Sequence, residues 1–478
     1  MLGPSKHEGG GCCRAPEGSS WRGKTAPSGG GKMRRLRLAV AAALIAVSPV
    51  AALAAGSGHA AAPSSQFPQV APETAGFDSA KLKLLDDAMD AAVDNGQVAG
   101  VLTMTVRHGK LVDLHMHGMA SEAAGTPIAR DTIFRLYSQT KPMTGVAMMI
   151  LYEKGLWTLD DPVTKFVPAF AHLKVLGPPD PEGRPTTVDA VRPPTMRELM
   201  THTAGFGYGL RTGNPVDDAF RADRVLQSNG LEEMIDRIAA IPLLYQPGTR
   251  WSYSVAADIQ GYIVEKLSGE RFGDFMRDHL WRPLGMKDTG FYVPAANAPR
   301  LSGLYVVNAM TGNKPYELTP AVAPAIQDFT RPPPLESGGG GAVSTADDFA
   351  RFCQMMLNKG ELDGVRILSP ETVAMMEANQ VESSVQLSAA PGGRAIGDAL
   401  GFGLDFAVVR DPEKLGVPQG KGSIWWGGAA GTWFWIDPKN DLFFLGMVQR
   451  LGAGTAGNEG LGPLSQRLLY QALTDPGR

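Results

Sequence analysis

The stretch FRLYSQTKPMTGVAMMILYEKG, residues 134–155, places a serine three residues before a lysine at the start of an apolar helix. Pro142 has no N–H and is tolerated within the first turn of a helix, so it fixes the helix start close to Ser138. Lys141 then occupies a neighbouring position on the same face. Two interpretations are open: an ordinary capped helix with a solvated lysine, or a nucleophile with its base. Spacing alone does not decide between them, because such a pair is expected about once in a chain of ordinary composition.

The surroundings of the pair favour the chemical interpretation. A serine hydroxyl is a weak nucleophile and needs a base beside it. A lysine amine serves as that base where burial or a nearby positive charge lowers its pKa from about 10.4. The pair is flanked by apolar residues that predict burial: Phe134, Leu136, Tyr137, Met143, Val146 and Met149. A serine at a helix N-terminus also gains from the local positive potential when its oxygen becomes anionic.

Composition excludes several classes of function. The chain has 478 residues, 44% of them hydrophobic and 19% charged, which is typical of a globular protein with a large core. A formal net charge of -3 gives no basic balance that would indicate nucleic-acid binding. The eight histidines form no HExxH pair, and the glycine run 338–341 lacks the Lys-Ser/Thr of a phosphate loop, so it is interpreted as a tight turn near the cleft. We expect no cofactor and no metal.

The N-terminal region is predicted to lie outside the fold. Residues 1–32 are interpreted as a low-complexity leader that is not translated if synthesis begins at Met33, and MRRLRLAVAAALIAVSPVAALAA (33–55) has the basic head, apolar middle and small-residue end of a signal peptide. An uncleaved membrane anchor is the alternative. Residues 56–70 are a linker, and Cys353 is the single cysteine that would remain, so no disulfide is expected. The prediction is an exported protein, periplasmic or secreted, with no membrane contact after signal removal.

The remaining chain, 71–478, predicts one mixed α/β (α+β) domain built from both chain ends. A helix at 78–96 and a hairpin at 99–118 begin it. A second hairpin, whose two strands are the aromatic runs at 423–437 and 441–450, and a helix at 464–473 end it. Helical patterns lie between them at 143–154, 231–241, 256–267 and 345–357. We therefore expect an antiparallel sheet flanked by helices from 71–137 and 335–478, with a mainly helical part inserted at 138–334.

Two further motifs carry a family resemblance. PGTRWSYSVAADIQGYIVEKLSG (247–269) offers Tyr253-Ser254-Val255 before a helix, and IWWGGAAGTWFW (424–435) offers Trp426-Gly427-Gly428 on a strand. With the serine–lysine pair, this set resembles the penicillin-recognising serine hydrolases: class C β-lactamases, D-Ala-D-Ala peptidases and family VIII carboxylesterases. The resemblance covers residues 70–470 and includes the phrases MRELMTHTAGF (196–206), GMKDTGFYV (285–293) and GGGGAVSTADDFARF (338–352).

The resemblance implies a role for each motif residue. Ser138 would be the nucleophile and Lys141 its base, while Tyr253 would pass a proton to the leaving group and then activate the deacylating water. Lysine and tyrosine would titrate as a coupled pair. The backbone N–H groups of Ser138 and Ala429 would form the oxyanion hole, a kind of donor that is worth roughly 3 kcal/mol of barrier. The implied substrate-binding residues are Trp426, Gly427, Gly428 and Val255.

Two positions depart from the β-lactamase pattern and favour ester substrates. Val255 replaces the asparagine of class C enzymes, and Trp426 replaces a lysine that binds the carboxylate of β-lactams and of D-Ala-D-Ala peptides. Losing that charge-assisted contact would cost about 1.5–3 kcal/mol for an anionic substrate and nothing for an uncharged ester. We therefore expect a serine carboxylesterase that acts on a small-molecule partner, a short-chain uncharged ester, through an acyl-enzyme.

Three other functions are alternatives to a carboxylesterase. A β-lactamase, or a D-stereospecific peptidase or amide hydrolase, would keep the chemistry and change the substrate. A binding protein of the same fold would have lost catalysis, although serine, lysine and tyrosine are all present. No serine lies in a Gly-x-Ser-x-Gly elbow, which argues against an α/β-hydrolase. His202, within the phrase at 196–206, is predicted to form structural hydrogen bonds.

Overall fold

The computed structural model describes residues 67–307, 314–318, 327–382, 384–385, 397–452 and 460–477. The predicted leader, the signal peptide and residues 56–66 of the linker lie outside these described residues. Within the described part of the chain, no helix is long and apolar enough to cross a membrane.

The helices follow the periodic apolar segments of the sequence. They are α1 (Ser79–Asp94), α2 (Lys141–Glu153), α3 (Met196–Met200), α4 (Pro215–Ala222), α5 (Leu231–Ala239), α6 (Ala256–Ser268), α7 (Phe272–Met276), α8 (Ala346–Leu357), α9 (Pro370–Glu377), α10 (Pro412–Leu415) and α11 (Leu461–Ala472). Side-chain caps start several of them where the sequence indicates: Asp78 accepts a hydrogen bond from the Lys81 N–H at the start of α1. Each helical segment predicted from the sequence is present.

The strands are β1 (Gly100–Arg107), β2 (Lys110–Ser121), β3 (Thr126–Pro127), β4 (Phe134–Arg135), β5 (Lys174–Leu176), β6 (Thr187–Asp189), β7 (Leu304–Val306), β8 (Tyr316–Leu318), β9 (Val343–Ser344), β10 (Glu361–Leu362), β11 (Val365–Arg366), β12 (Leu400–Phe402), β13 (Ala407–Val409), β14 (Ile424–Gly427), β15 (Trp433–Asp437), β16 (Leu442–Met447) and β17 (Arg450–Leu451). Eight of them form the main sheet, in the order β12-β13-β14-β15-β16-β1-β2-β3. Adjacent strands of this sheet all run antiparallel. The two terminal hairpins meet where β1 pairs with β16, which confirms the expected mixed fold.

The main sheet is the middle layer of the domain. Alternate residues of β1 point to opposite faces, so Leu102 and Met104 join the large core under the helical part while Val101 joins a smaller core. The smaller core contains apolar residues of α1 and α11, which pack together on that face. All eight residues of β1 are buried, as expected for a central strand covered on both sides.

Two features of the helical part place the site. Helix α2 packs against α6, so the serine–lysine motif lies beside the segment that precedes α6. The short pair β4–β9 then connects the chain just before the serine to the chain just after the glycine run. The stretch 138–334 also contains the short strands β5 to β8 in addition to its helices.

Candidate active site

Ser138 lies in a short 3-10 turn, Tyr137–Thr140, which leads directly into α2. Pro142 occupies the first turn of α2, where a backbone N–H would have no carbonyl partner within the helix. The residue before the serine, Tyr137, has φ 45°, a left-handed conformation that is uncommon for a residue with a large side chain. Such backbone strain persists where the surrounding structure enforces it, and it turns the chain sharply at the nucleophile.

Lys141 is buried, with 1% of its surface exposed, and its amine faces three oxygens. Nζ donates to the Gly339 carbonyl at 2.6 Å, to the Tyr208 hydroxyl at 3.2 Å and to Ser138 Oγ at 3.3 Å. A carbonyl accepts only, whereas the two hydroxyls can either accept or donate. A neutral amine can therefore keep its bond to Gly339 while it accepts the proton of Ser138.

Two residues that the sequence did not single out surround this amine. Tyr208 lies in the loop after α3, and burial, followed by the charge of Asp258, raises the pKa of its phenol well above the ordinary value. Asp258 lies in the first turn of α6 and is fully buried. Burial raises the pKa of its carboxyl, and the positive charge of Lys141 opposes that shift.

Sequence signals for these two residues were present but weak. An aspartate within the apolar run of α6 indicates a buried acid with a partner, and Tyr208 lies two residues after the family phrase at 196–206. Neither signal named Lys141 as the partner.

Tyr253 approaches Lys141 through its ring. The amine lies 4.6 Å from the ring centroid of Tyr253 and 5.0 Å from that of Tyr208, both at cation–π distance. The Tyr253 ring also contacts the rings of His202 and Trp426, with centroids 5.0 Å and 5.6 Å away. Its hydroxyl oxygen is buried and has no hydrogen-bond partner among the described residues. A phenol that is held by its ring in this way is free to exchange a proton with a bound substrate.

His202 supports the loop that carries Tyr253, which is the structural role predicted for it from the sequence. Its Nδ1 lies 2.9 Å from Ser254 Oγ, and its carbonyl accepts the Ser252 N–H at 2.8 Å. Burial, together with the charge of Lys141, holds the pKa of His202 well below its ordinary value. The imidazole is therefore neutral at physiological pH.

The turn after β14 lies against the nucleophile turn. Thr432 Oγ1 donates to the Leu136 carbonyl at 3.3 Å, and a Cβ added at Gly428 would lie 2.2 Å from that same oxygen. Only glycine allows this approach. Ala429, the proposed second oxyanion donor, is exposed beside it on the turn.

The remaining predicted substrate residues differ in exposure. Trp426 is 2% exposed, Val255 is fully buried, and Gly427 is partly exposed at the end of β14. The indole Nε1 of Trp426 is buried and has no partner among the described residues. Contact of these residues with a substrate stays a prediction.

The glycine run forms the expected tight turn, and it lies next to the Lys141 amine. The N–H groups of Gly340 and Gly341 both donate to the Ser337 carbonyl, at 3.3 Å and 2.9 Å. Across the described residues, no group of histidine, cysteine, aspartate and glutamate side chains is arranged to hold a metal ion. Among the described residues, Cys353 is buried and unpaired.

Comparison with known proteins gives a consistent result. The model of the family described as Beta-lactamase matches residues 85–461. Protein Rv1367c of Mycobacterium tuberculosis is 34% identical over 385 residues, covering 78% of this chain and 92% of that protein. Esterase EstB of Burkholderia gladioli is 32% identical over 401 residues, covering 81% of this chain and 95% of EstB.

A solved structure agrees with these relatives. It is described as EstCE1, a hydrolase with promiscuous acyltransferase activity, and it superposes with a TM-score of 0.67 at 25% identity. The match covers 82% of this chain and 99% of EstCE1. The chain belongs to the β-lactamase family and is a serine hydrolase of that fold.

Proposed function

We propose that this protein is a carboxylesterase that hydrolyses small, uncharged, short-chain esters through an acyl-enzyme on Ser138. The observation that carries the proposal is the buried Lys141 amine, 3.3 Å from Ser138 Oγ and 4.6 Å from the ring centroid of Tyr253, whose hydroxyl has no partner among the described residues. The relative named Esterase EstB supports the choice of an ester substrate.

Acylation uses the amine as the base. Ser138 Oγ attacks the ester carbonyl carbon while its proton passes to Lys141 Nζ, which keeps its bond to the Gly339 carbonyl. The carbonyl oxygen becomes an oxyanion between the backbone N–H groups of Ser138 and Ala429. The bond to the alkoxy oxygen then breaks, and the Tyr253 hydroxyl donates a proton to the departing alcohol.

Deacylation reverses the direction of proton transfer. Tyr253 takes a proton from water, the resulting hydroxide attacks the acyl carbon, and Ser138 leaves with the proton that Lys141 returns. The net reaction consumes one ester and one water and yields an acid and an alcohol, so both side chains end in their starting states.

The preference for uncharged esters rests on position 426. The strand carries an indole there, enclosed by the rings of Tyr253, Phe402 and Trp425 at centroid distances of 5.6 Å, 5.5 Å and 5.9 Å. An aromatic enclosure offers no countercharge to a carboxylate, whose desolvation would go uncompensated. A β-lactam or a D-Ala-D-Ala peptide carries such a carboxylate.

Acyl transfer to an alcohol is a second candidate. The aromatic wall around the Tyr253 phenol favours it, because an apolar alcohol can displace water there at little cost. The activity named in the description of EstCE1 supports the same idea. Adding an alcohol during p-nitrophenyl butyrate turnover and assaying for the new butyrate ester tests it.

One substrate pair tests the main proposal. We expect p-nitrophenyl butyrate to be hydrolysed and its counterpart with a carboxylate on the acyl chain, p-nitrophenyl hemisuccinate, to react at least about tenfold more slowly in kcat/KM. Ser138→Ala abolishes both reactions. Equal rates on the two esters, or faster turnover of nitrocefin than of butyrate, would instead indicate the alternative of a β-lactamase or D-stereospecific peptidase.

We also propose that the protein is exported, on the basis of the sequence at 33–55. Mass spectrometry of the mature N-terminus after expression with the full leader tests this. A new N-terminus near residue 55 is expected, and an intact leader on a cytoplasmic product would contradict it.

A further inference from the structure

Asp258 connects the catalytic lysine to the glycine-rich turn. Its Oδ1 accepts hydrogen bonds from the Ser337 hydroxyl and from the Gly339 N–H, the latter at 3.1 Å. The carbonyl of the same Gly339 accepts the shortest hydrogen bond of the Lys141 amine, at 2.6 Å. A displacement of the carboxyl would therefore move the oxygen that holds the amine against Ser138.

The packing around Gly339 leaves no room for a side chain at this position. A Cβ added there would lie 2.3 Å from Asp258 Oδ2 and 2.6 Å from the Tyr208 hydroxyl oxygen. Carboxyl and phenol thus converge on one backbone position next to Lys141. A glycine at 339 is required for the three groups to meet.

Several titratable groups face this carboxyl or its lysine. Lys141 faces it from α2 and Tyr208 from the loop after α3, while Tyr253, His202 and Asp405 face the lysine. Burial raises the pKa of Asp405 to about 8, so this second carboxyl is mainly neutral at pH 7.

The two carboxyls differ in what stabilises their charge. Among the described residues, Asp405 accepts a hydrogen bond from Gln260 Nε2 at 3.3 Å, whereas Asp258 accepts hydrogen bonds from both Ser337 and Gly339. Hydrogen bonds to a carboxylate favour its ionised form. Asp258 is therefore the more readily ionised of the two.

We propose that Asp258 is a positioning residue for the ester hydrolysis proposed above, on which this inference rests. Through Gly339 it fixes the Lys141 amine against Ser138, and its negative charge sets the pH range in which that amine accepts a proton. An anion beside the amine favours the ammonium form, which cannot act as a base. Removing the charge favours the neutral amine, so the base becomes available at lower pH.

Asp258→Asn tests the charge while preserving the shape, because the amide oxygen can still accept both hydrogen bonds. We expect the acid limb of kcat/KM for p-nitrophenyl butyrate to move by about one pH unit to lower pH. Asp405→Asn is the matched control, since an amide imitates the neutral carboxyl already present, and its acid limb should coincide with that of the wild type. Asp258→Ala also removes the support of Gly339, and kcat should fall at least about tenfold.

An acid limb of wild-type position and a wild-type kcat in Asp258→Asn would overturn the inference. An equal shift in Asp405→Asn would also overturn it, because the effect would then belong to any buried carboxyl in the region. Thermal unfolding of each variant shows whether it folds. If Asp258→Ala fails to fold, Asp258→Asn alone carries the test. Full activity in Ser138→Ala would instead remove the proposed function itself, which separates the two failures.

Discussion

Lys141 and Tyr253 are neighbours in the site, but they are held by different kinds of contact. The lysine amine is fixed by three hydrogen bonds to oxygens from three separate segments. The tyrosine is fixed by the packing of its ring against aromatic neighbours, and its hydroxyl has no partner among the described residues. Changing a partner of the amine therefore disturbs its position and its proton affinity together, whereas removing the phenol oxygen leaves the tyrosine ring in place.

Of the substitutions that test this comparison, Lys141→Ala should have the largest effect on kcat. It removes the base and leaves the oxygens of Gly339, Tyr208 and Ser138 without their shared donor, so kcat for p-nitrophenyl butyrate should fall by about 10⁴-fold. Lys154→Ala, an exposed lysine at the end of the same helix, is the control and should keep wild-type kcat. Retention of more than a tenth of wild-type activity in Lys141→Ala would exclude the lysine as base.

Tyr253→Phe separates chemistry from position. The ring contacts remain, so the melting temperature and KM should be close to those of the wild type, while kcat falls by about 10³-fold because no group protonates the leaving alcohol. Tyr292→Phe, at an exposed tyrosine, is the matched control. If kcat is lost together with several degrees of melting temperature, the phenol is structural and the assigned role is wrong.

Tyr208→Phe should lower kcat less than the loss of Lys141 or of the Tyr253 hydroxyl does. The change deletes one of three acceptors of the Lys141 amine but leaves Gly339 and Ser138 in place, so kcat should fall by about tenfold. Steady-state kinetics on the neutral ester measures it. A loss as large as that of Tyr253→Phe would show that Tyr208 does more than hold the amine and takes part in the chemistry.

His202→Gln is expected to have the smallest effect on turnover and a visible one on stability. Because the folded-state pKa of His202 is lowered, the unfolded chain binds a proton more readily than the folded chain does. The contribution of the neutral imidazole to the free energy of unfolding is therefore complete above the unfolded-state pKa of about 6.5. It is lost as pH falls through the folded-state pKa. The variant should therefore lose less unfolding free energy than the wild type between about pH 6.5 and 4, measured by denaturant titration. Parallel curves would show that the histidine does not titrate on unfolding.

The fold was largely predictable because its signals are local. The alternating pattern of residues 99–118 and the cap at Asp78 each identify an element without reference to the rest of the chain. Joining the two chain ends into one sheet needed only the presence of a hairpin at each end. The aromatic run 423–437 is an exception: it was predicted as one strand of the C-terminal hairpin, but it contains β14 and β15 with a turn between them.

The candidate site was predictable only in part. Ser138 and Lys141 are close in sequence, and a helical turn suffices to bring them together. Tyr208, Asp258 and Gly339 reach the same amine from segments far apart in the chain, and their contacts depend on how α2 packs against α6. No periodicity or spacing encodes such an encounter.

The most direct test of the account is to identify the residue that becomes acylated. Wild-type protein mixed with excess p-nitrophenyl butyrate and quenched in acid within the first turnover should carry one butyryl group, which peptide mapping places on Ser138. Every other serine in the chain serves as an internal control, and Ser138→Ala should carry none. A butyryl group on another residue, or one that persists in Ser138→Ala, would contradict the assignment of the nucleophile and with it the mechanism built around Lys141.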